Sequence, residues 1–366
     1  MDKISHIALF LPSLAGGGAE RVMVILANAL LQKGLSVDLV LVKAEGPYLK
    51  EVFPEVEVVN LNASSTIFSL RSLTEYLRKN KPQVIFSTLE HANVVALWAK
   101  LLSGNKVKCI IRLPSTITAA AHNAKSFRAR SIPWLLKCFA RCADAVIAVS
   151  HASAQDLATL LCISSTKIHV IYNPVISDEL FEKAKEPLEH SWFAPNQPPV
   201  ILGVGRLSKA KDFSTLIRAF ALVRKEKPAK LMILGEGEER KDLEKLITKL
   251  GIGKDVTLPG FIENPYSYMK HAAVFVLSSR WEGLPNALIQ ATALEVPVVA
   301  TNCPGGVAEI VEETKWGRLV PVQNVEKLYI ALVECINDKK KHNPPVTINF
   351  RKNVIVEKYL ELINNL

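Results

Sequence analysis

The sequence predicts an α/β protein of two doubly wound, parallel-sheet domains. Val- and Ile-rich runs alternate with amphipathic helical stretches, the series restarts near Val200, and a polar stretch carrying Pro174, Pro187, Pro195, Pro198 and Pro199 separates the halves. In the first half, strands are expected at His6 to Leu11, Val37 to Val42, Val84 to Ser87, Lys108 to Leu113, Ala145 to Val149 and His169 to Ile171. In the second they are expected at Val200 to Val204, Lys230 to Leu234, Val256 to Leu258, Val274 to Leu277 and Val296 to Ala300. These breaks place one domain at residues 1–174, a connection at 175–199 and a second domain at 200–345. Residues 346–366 end in an amphipathic helix, with Val354, Val356, Tyr359, Leu360, Leu362 and Ile363 between charged residues.

At 366 residues, with 49% hydrophobic and 22% charged, the chain is long and apolar enough for two buried cores and excludes a disordered tail. No run reaches the roughly 18 to 20 uncharged apolar residues of a membrane span. The first apolar run leads into a Gly-rich turn and not a cleavage site, so a cytoplasmic location is expected. The six cysteines lack any C-x-x-C spacing and read as buried free thiols, neither a disulfide framework nor a zinc site.

The formal charge of +10 is uneven. Between Glu90 and Asp144 there is no acidic residue, while Lys100, Lys106, Lys108, Arg112, Lys125, Arg128, Arg130, Lys137 and Arg141 are basic. Phe127, Ile132, Trp134, Leu135, Leu136 and Phe139 interleave with the later ones, the pattern of a helix lying on an anionic membrane surface. Nucleic acid is not expected as a partner, because no helix-turn-helix, zinc-finger or RNP-like signature accompanies the charge.

Open α/β sheets bind ligands beyond the carboxyl ends of their strands, so the residues just after each strand are the candidates, and two such domains facing each other would enclose a cleft. After the first strand, Gly16, Gly17 and Gly18 open a helix with Ala19, Glu20 and Arg21, where bare backbone and free N–H groups favour an anion. A dinucleotide fingerprint would want a third glycine where Arg21 stands. After the first strand of the second half, Gly205, Arg206 and Lys211 precede the helix from Phe213; Arg206 can fork two phosphate oxygens and Lys211 adds a point charge. That pair offsets a leaving diphosphate without a metal, and no D-x-D is present to hold a divalent ion. Gly235, Glu236 and Gly237, then Pro259, Gly260 and Phe261, are expected as walls of a nucleotide site. The block from Leu277 to Ala291 is a strand, a loop and a helix start: Glu282 can accept from sugar hydroxyls, and the amides near Gly283 and Leu284 can meet phosphate. Asn302 to Glu309 repeats the arrangement.

The order GGGAERV, YNPV, GVGRLSKAKDFSTLIRAF, GEGEER, PGF, SSRWEGLPNALIQA and NCPGGVAEI resembles the retaining glycosyltransferases of family 4 over nearly the whole chain. The resemblance implies the GT-B fold, two Rossmann-like domains facing each other across a cleft, with the nucleotide sugar in the C-terminal domain and the acceptor in the N-terminal one. It implies that the last helix packs back on the N-terminal domain. Arg206 and Lys211 would contact the donor diphosphate, Glu282 the sugar hydroxyls, and Gly16 and Gly17 would approach the donor. Gly205, Gly237, Phe261, Gly283, Leu284, Pro285, Asn286 and Gln290 complete the donor set, and Glu20, His91 and Arg112 are the acceptor candidates.

Two departures bear on completeness. The E-x7-E pair reads Glu282 and Gln290, which weakens one hydrogen bond to a ribose hydroxyl by about 1 kcal/mol. The histidine that many relatives carry after an N-terminal-domain strand is absent, and Arg112 takes that place as a candidate for an acceptor phosphate or the donor, with His91 and His122 as alternatives. The expected activity is hexosyl or N-acetylhexosaminyl transfer from a UDP-sugar, with no cofactor, to a glycan or lipid-linked saccharide at the inner membrane face. The alternatives are a sugar-nucleotide epimerase and a non-catalytic sugar-nucleotide-binding subunit.

Overall fold

The computed structural model describes residues 4–118, 127–314, 317–338 and 348–366, with the side chains of 127–132 and 165 outside the description. His122 and Lys125 therefore lie outside the described residues, as do the side chains of Phe127, Arg128, Arg130 and Ile132. The chain forms two compact units, Met1–Pro174 with Asn349–Leu366, and Val175–Ile348.

Unit 1 holds a seven-stranded parallel sheet of β1 (His6–Leu11), β2 (Ser36–Leu41), β3 (Glu57–Asn60), β4 (Val84–Thr88), β5 (Lys108–Leu113), β6 (Ala145–Ala148) and β7 (Ile168–Val170), in the order β3-β2-β1-β4-β5-β6-β7. Successive side chains alternate between two cores, because a strand's period is two. Ala8, Phe10, Ile85, Cys109 and Ile111 pack under the helices Leu70–Asn80 and Glu90–Ser103. Ile7, Leu9, Leu11, Phe86 and Ile110 pack on the opposite face, where Ile355, Tyr359, Leu362 and Ile363 of the last helix, Lys352–Asn364, are buried with them. Tyr359 sets its ring edge-on to Phe86 at 5.6 Å. Fully burying an apolar side chain of this size contributes about 1.5–3 kcal/mol, so the last helix is an integral part of this core.

Unit 2 repeats the plan with β8 (Val200–Val204), β9 (Lys230–Leu234), β10 (Val256–Gly260), β11 (Val274–Leu277), β12 (Val298–Thr301) and β13 (Arg318–Val320), all parallel, in the order β10-β9-β8-β11-β12-β13. Each sheet therefore reverses its winding once, between β1 and β4 in unit 1 and between β8 and β11 in unit 2. Chain leaving the two strands on either side of such a reversal diverges to opposite faces and opens a crevice at their carboxyl ends.

The structure adds strands β3 and β13 to those expected from the sequence. Both are edge strands paired on one side only, and β3 is largely exposed, so neither carries the apolar run that marks a central parallel strand. The stretch expected as a connection, 175–199, instead folds onto unit 2: it contains the helix Asp178–Ala184, whose Leu180 and Ala184 are buried and whose Lys183 carbonyl accepts from Asn264 Nδ2 at 2.9 Å. Of the six free cysteines, Cys109, Cys303 and Cys335 are buried, but Cys138 and Cys162 are exposed, correcting the expectation of buried thiols throughout. Cys162 caps a helix in a left-handed conformation, with its Sγ 3.8 Å from the Thr159 carbonyl oxygen. Among the described residues no helix is long and apolar enough to cross a membrane.

Candidate active site at the strand ends

In unit 2 the residues following β8 and β11 are tied to each other. Gly205 follows β8, and a Cβ there would stand 3.2 Å from Lys211 Cε, so the bare backbone gives the lysine stem its course. Lys211 Nζ lies 2.5 Å from Glu282 Oε1, and the same oxygen accepts from Ser279 Oγ at 2.5 Å. Ser278 Oγ donates to the Lys211 carbonyl at 2.8 Å, Arg280 N–H to the Ala210 carbonyl at 2.7 Å, and Arg280 Nε sits 3.2 Å from the buried carboxylate of Asp212. Asp212 itself holds a left-handed backbone and accepts from Ser214 and Thr215, which fixes the entry to the helix Phe213–Glu226. Arg206 stands exposed beside this cluster's lysine loop.

Glycines line the neighbouring strand ends. A Cβ on Gly235 would stand 2.1 Å from the Gly205 carbonyl oxygen, and one on Gly237 would stand 2.3 Å from that of Leu207. Gly235 N–H donates to Gly260 O at 2.7 Å and Gly205 N–H to Leu234 O at 3.0 Å, so the ends of β8, β9 and β10 are stitched together. Glu236 and Arg240 form a two-pronged pair at 2.6 and 2.8 Å, and the hydrogen bonds from Arg240 hold the Glu236 carboxyl below its ordinary value. Phe261, expected in the donor set, is 53% exposed.

On the other side of Glu282, its N–H donates to Pro304 O at 2.9 Å and Gly306 N–H to Gly283 O at 2.7 Å. Gly305 permits this close pairing, since a Cβ there would fall 2.1 Å from Glu282 O. Gly283, Leu284 and Pro285 are buried, and Pro285 caps the helix that begins at Asn286. Gln290 places Nε2 3.3 Å from the Tyr266 hydroxyl, so the amide standing where a carboxylate was expected has a hydroxyl partner. Cys303 is buried beside the ion pair; burial pushes its thiol up to about 12, Glu282 adding to the rise and Lys211 opposing it.

In unit 1 the corresponding crevice lies after β1 and β4. Gly17 precedes the helix Gly18–Gln32, and a Cβ there would meet the Glu20 carboxylate at 2.1 Å, so Glu20 folds back over the glycine turn. Gly16, at φ +98°, accepts from the Tyr48 hydroxyl at 3.2 Å. His91 opens the helix after β4 and lies within electrostatic reach of Glu20; desolvation lowers its pKa against the pull of Glu90 and Glu20. The residue between β4 and this helix, Leu89, holds φ +76° and ψ 137°, a conformation costing about 1–3 kcal/mol in a residue with a side chain. No glycine marks that turn, so residue type alone does not reveal it.

Arg112 departs from its expected role. It is wholly buried on β5, where its guanidinium donates to Thr88 Oγ1 at 3.1 Å and Asn173 Oδ1 at 2.5 Å, and its carbonyl accepts from Asn93 Nδ2 at 2.9 Å. Expected as an acceptor contact, its buried guanidinium is instead bonded to Thr88 and Asn173 within unit 1. Lys100 and Lys108 are likewise drawn from the basic stretch into ion pairs with Asp144.

Residues 16–179 match the model of glycosyltransferase family 4, and residues 184–348 match that of glycosyl transferases group 1. Over 348 residues the chain is 30% identical to the N-acetylgalactosamine-N,N'-diacetylbacillosaminyl-diphospho-undecaprenol 4-alpha-N-acetylgalactosaminyltransferase of Campylobacter jejuni, covering 92% of each. Its fold is similar to that of sucrose-phosphate synthase from Thermosynechococcus elongatus, with a TM-score of 0.83 at 22% identity over 99% of this chain and 98% of that one. It is also similar to that of Anabaena HepE in complex with UDP-glucose, with a TM-score of 0.82 at 21% identity over 98% and 99%. Two Rossmann-like units of the GT-B class, matched in both halves by transferase models and along nearly its whole length by a bacterial relative, place this chain in glycosyltransferase family 4.

Proposed function

We propose that the chain is a retaining transferase that moves a hexosyl or N-acetylhexosaminyl group from a UDP-sugar to a lipid-linked saccharide at the inner face of the membrane. The observation that carries this reading is the meeting of Lys211 and Glu282 at the winding reversal of unit 2, with Arg206 exposed on the same loop. A cationic pair beside a hydroxyl-accepting carboxylate suits a sugar joined to a diphosphate. In this reading Arg206 and Lys211 stabilise the charge growing on the leaving diphosphate, a preorganised contribution of several kcal/mol, and need no metal to do so. Glu282 orients the sugar through its hydroxyls. The departing phosphate oxygen takes the proton of the incoming acceptor hydroxyl on the same face, which retains the anomeric configuration. Glu20 and His91, gathered at the reversal of unit 1, are the acceptor-side residues that would orient the incoming hydroxyl; desolvation lowers the pKa of His91.

Support for the donor comes from the HepE complex with UDP-glucose, and for the acceptor from the diphospho-undecaprenol saccharide in the name of the Campylobacter jejuni relative. The epimerase and non-catalytic alternatives are not favoured, since both family matches are to transferases. Membrane contact is assigned to Trp134, 65% exposed on the helix Phe127–Phe139, with the exposed Lys137 and Arg141 beyond it.

Calorimetric titration with UDP, GDP and ADP, with and without magnesium, tests the donor side. UDP is expected to bind saturably and independently of magnesium, and Arg206→Ala to weaken it about 10- to 100-fold. Absence of binding by all three nucleotides would remove the transferase reading of unit 2. Sedimentation with anionic and neutral vesicles tests the membrane side: binding should require anionic lipid, fall with salt and weaken in Trp134→Ala.

A further inference from the structure

Between β4 and the helix Glu90–Ser103 a single residue, Leu89, makes the whole turn, and leucine suits the place poorly on two counts. At φ +76° and ψ 137° it holds a backbone that only glycine adopts without strain. As the cap of the helix it brings no oxygen to the free N–H groups, where serine, threonine, aspartate or asparagine would serve. Such a turn persists only where its surroundings over-determine it. Here both of its flanks are bonded to Arg112, which the sheet register sets opposite Thr88. On the strand side, Thr88 Oγ1 accepts from the Arg112 guanidinium at 3.1 Å. On the helix side, Asn93 Nδ2 donates to the Arg112 carbonyl at 2.9 Å, while Asn93 N–H closes the first helical turn on the Leu89 carbonyl at 2.9 Å. Thr88, Asn93 and Arg112 are all fully buried.

We infer that Asn93 is a positioning residue: by tying the helix start to β5 it locks the strained Leu89 turn and so sets His91 at the crevice of unit 1. The inference rests on the reading of His91 as an acceptor-side residue. Beyond its first turn the helix is fixed independently, because Ala92, Val95, Ala96 and Ala99 are buried in the core. Relaxation at Leu89 is therefore confined to the residues between the turn and that anchor, Glu90 and His91. Without the bond from Asn93 to Arg112, the turn can move toward ordinary dihedral angles and carry the His91 ring away from its place near Glu20. The strain supplies the drive and the buried bonds withhold it, so the lock matters only while residue 89 has a side chain. This gives Arg112 a part in the site without touching a substrate.

The test combines Asn93→Ala, Leu89→Gly and the double variant in the full-length protein, with two readouts. The first is the titration of the His91 ring, followed by NMR on isotope-labelled histidine and assigned with His91→Gln. In the wild type, desolvation holds it low against the charges of Glu90 and Glu20. Asn93→Ala should raise it toward the ordinary value, and should do so far less in the Leu89→Gly background, where the turn has no strain to release. The second readout is transfer of N-acetylgalactosamine from its UDP-sugar to the diphospho-undecaprenol saccharide in the name of the Campylobacter jejuni relative. Asn93→Ala should slow it about 10- to 100-fold, but less than about threefold when made on top of Leu89→Gly. Asn93→Ser serves if the alanine variant melts too low. Equal effects of Asn93→Ala in both backgrounds, or no shift of His91 in either, would overturn the lock, as would a Leu89→Gly protein that melts no higher than Leu89→Ala. Transfer by His91→Gln at the wild-type rate would instead remove the acceptor reading of His91, and the titration would still decide whether the lock exists.

Discussion

At Gly235 the backbone holds φ +139°, and an added Cβ would stand 2.1 Å from the carbonyl oxygen of Gly205. Gly251 is also left-handed, at φ +69°, but nothing lies within 4 Å of the place its Cβ would take. Alanine at Gly251 is therefore expected to cost about 1–2 kcal/mol of backbone strain alone, whereas Gly235→Ala should cost more than 2–3 kcal/mol, because the strand ends it joins must move apart. Parallel denaturant unfolding of the two variants checks this, and equal losses would mean that the close packing of the strand ends is worth nothing. Residue type made Gly235 legible in the sequence, as it did Arg206, Lys211 and Glu282. The pairing of Lys211 with Glu282 was not legible, since 71 residues separate them and only the adjacency of β8 and β11 brings them together. The strained Leu89 and left-handed Asp212 were invisible for a different reason: surrounding structure imposes a conformation that their side chains do not favour. Arg112 shows the converse, a charged residue at a strand end that looked like a ligand contact and is spent on internal bonds.

The two units share a device at the element level. Asp144, just before β6, pairs with Lys100 and Lys108 and accepts from the Cys109 N–H at 2.7 Å. Asp255, just before β10, pairs with Arg224 and Lys230 at 2.8 Å each. Burial alone would raise both carboxyls, but the hydrogen bonds and charges of their basic partners outweigh it and hold both below the ordinary value. A carboxyl lowered by folding binds fewer protons in the folded state than in the unfolded one, so its stabilisation is present above the unfolded value, about 3.9, and is lost as pH falls through the folded value. Asp144→Asn and Asp255→Asn should each cost about 1–2 kcal/mol at neutral pH and should each make stability fall less steeply below about pH 4. Chemical denaturation between pH 2 and 7 measures both quantities; an unchanged acid slope would show that these pairs do not couple folding to protons. Elements of this kind divided sharply in legibility. Central strands such as β8 and β11 are continuous apolar runs and coincide with the bounds expected from the sequence, while β3 and β13, with one edge unpaired, lack that signal.

At the scale of the whole molecule, unit 1 is discontinuous in sequence and unit 2 is not. Ending the chain after Ile348 would strip Ile355, Tyr359, Leu362 and Ile363 from the core of unit 1 while leaving unit 2 with every residue it uses. The truncated protein should accordingly show a lowered melting transition for unit 1 and an unchanged one for unit 2. If unit 2 binds a nucleoside diphosphate as proposed, ligand at about 100 times its Kd should stabilise that unit alone, by about 2.7 kcal/mol. Differential scanning calorimetry separates the two, and a truncation that left both transitions in place would mean that the last helix adds nothing to the core it lies on. The same discontinuity orders events during synthesis. The face of the first sheet that carries Phe86 stays open until Tyr359 has been made, and the whole of Val175–Ile348 is translated in between. At about 5–20 residues per second that interval lasts roughly 10–35 s, in which the second unit can finish folding while the first waits with an apolar face uncovered.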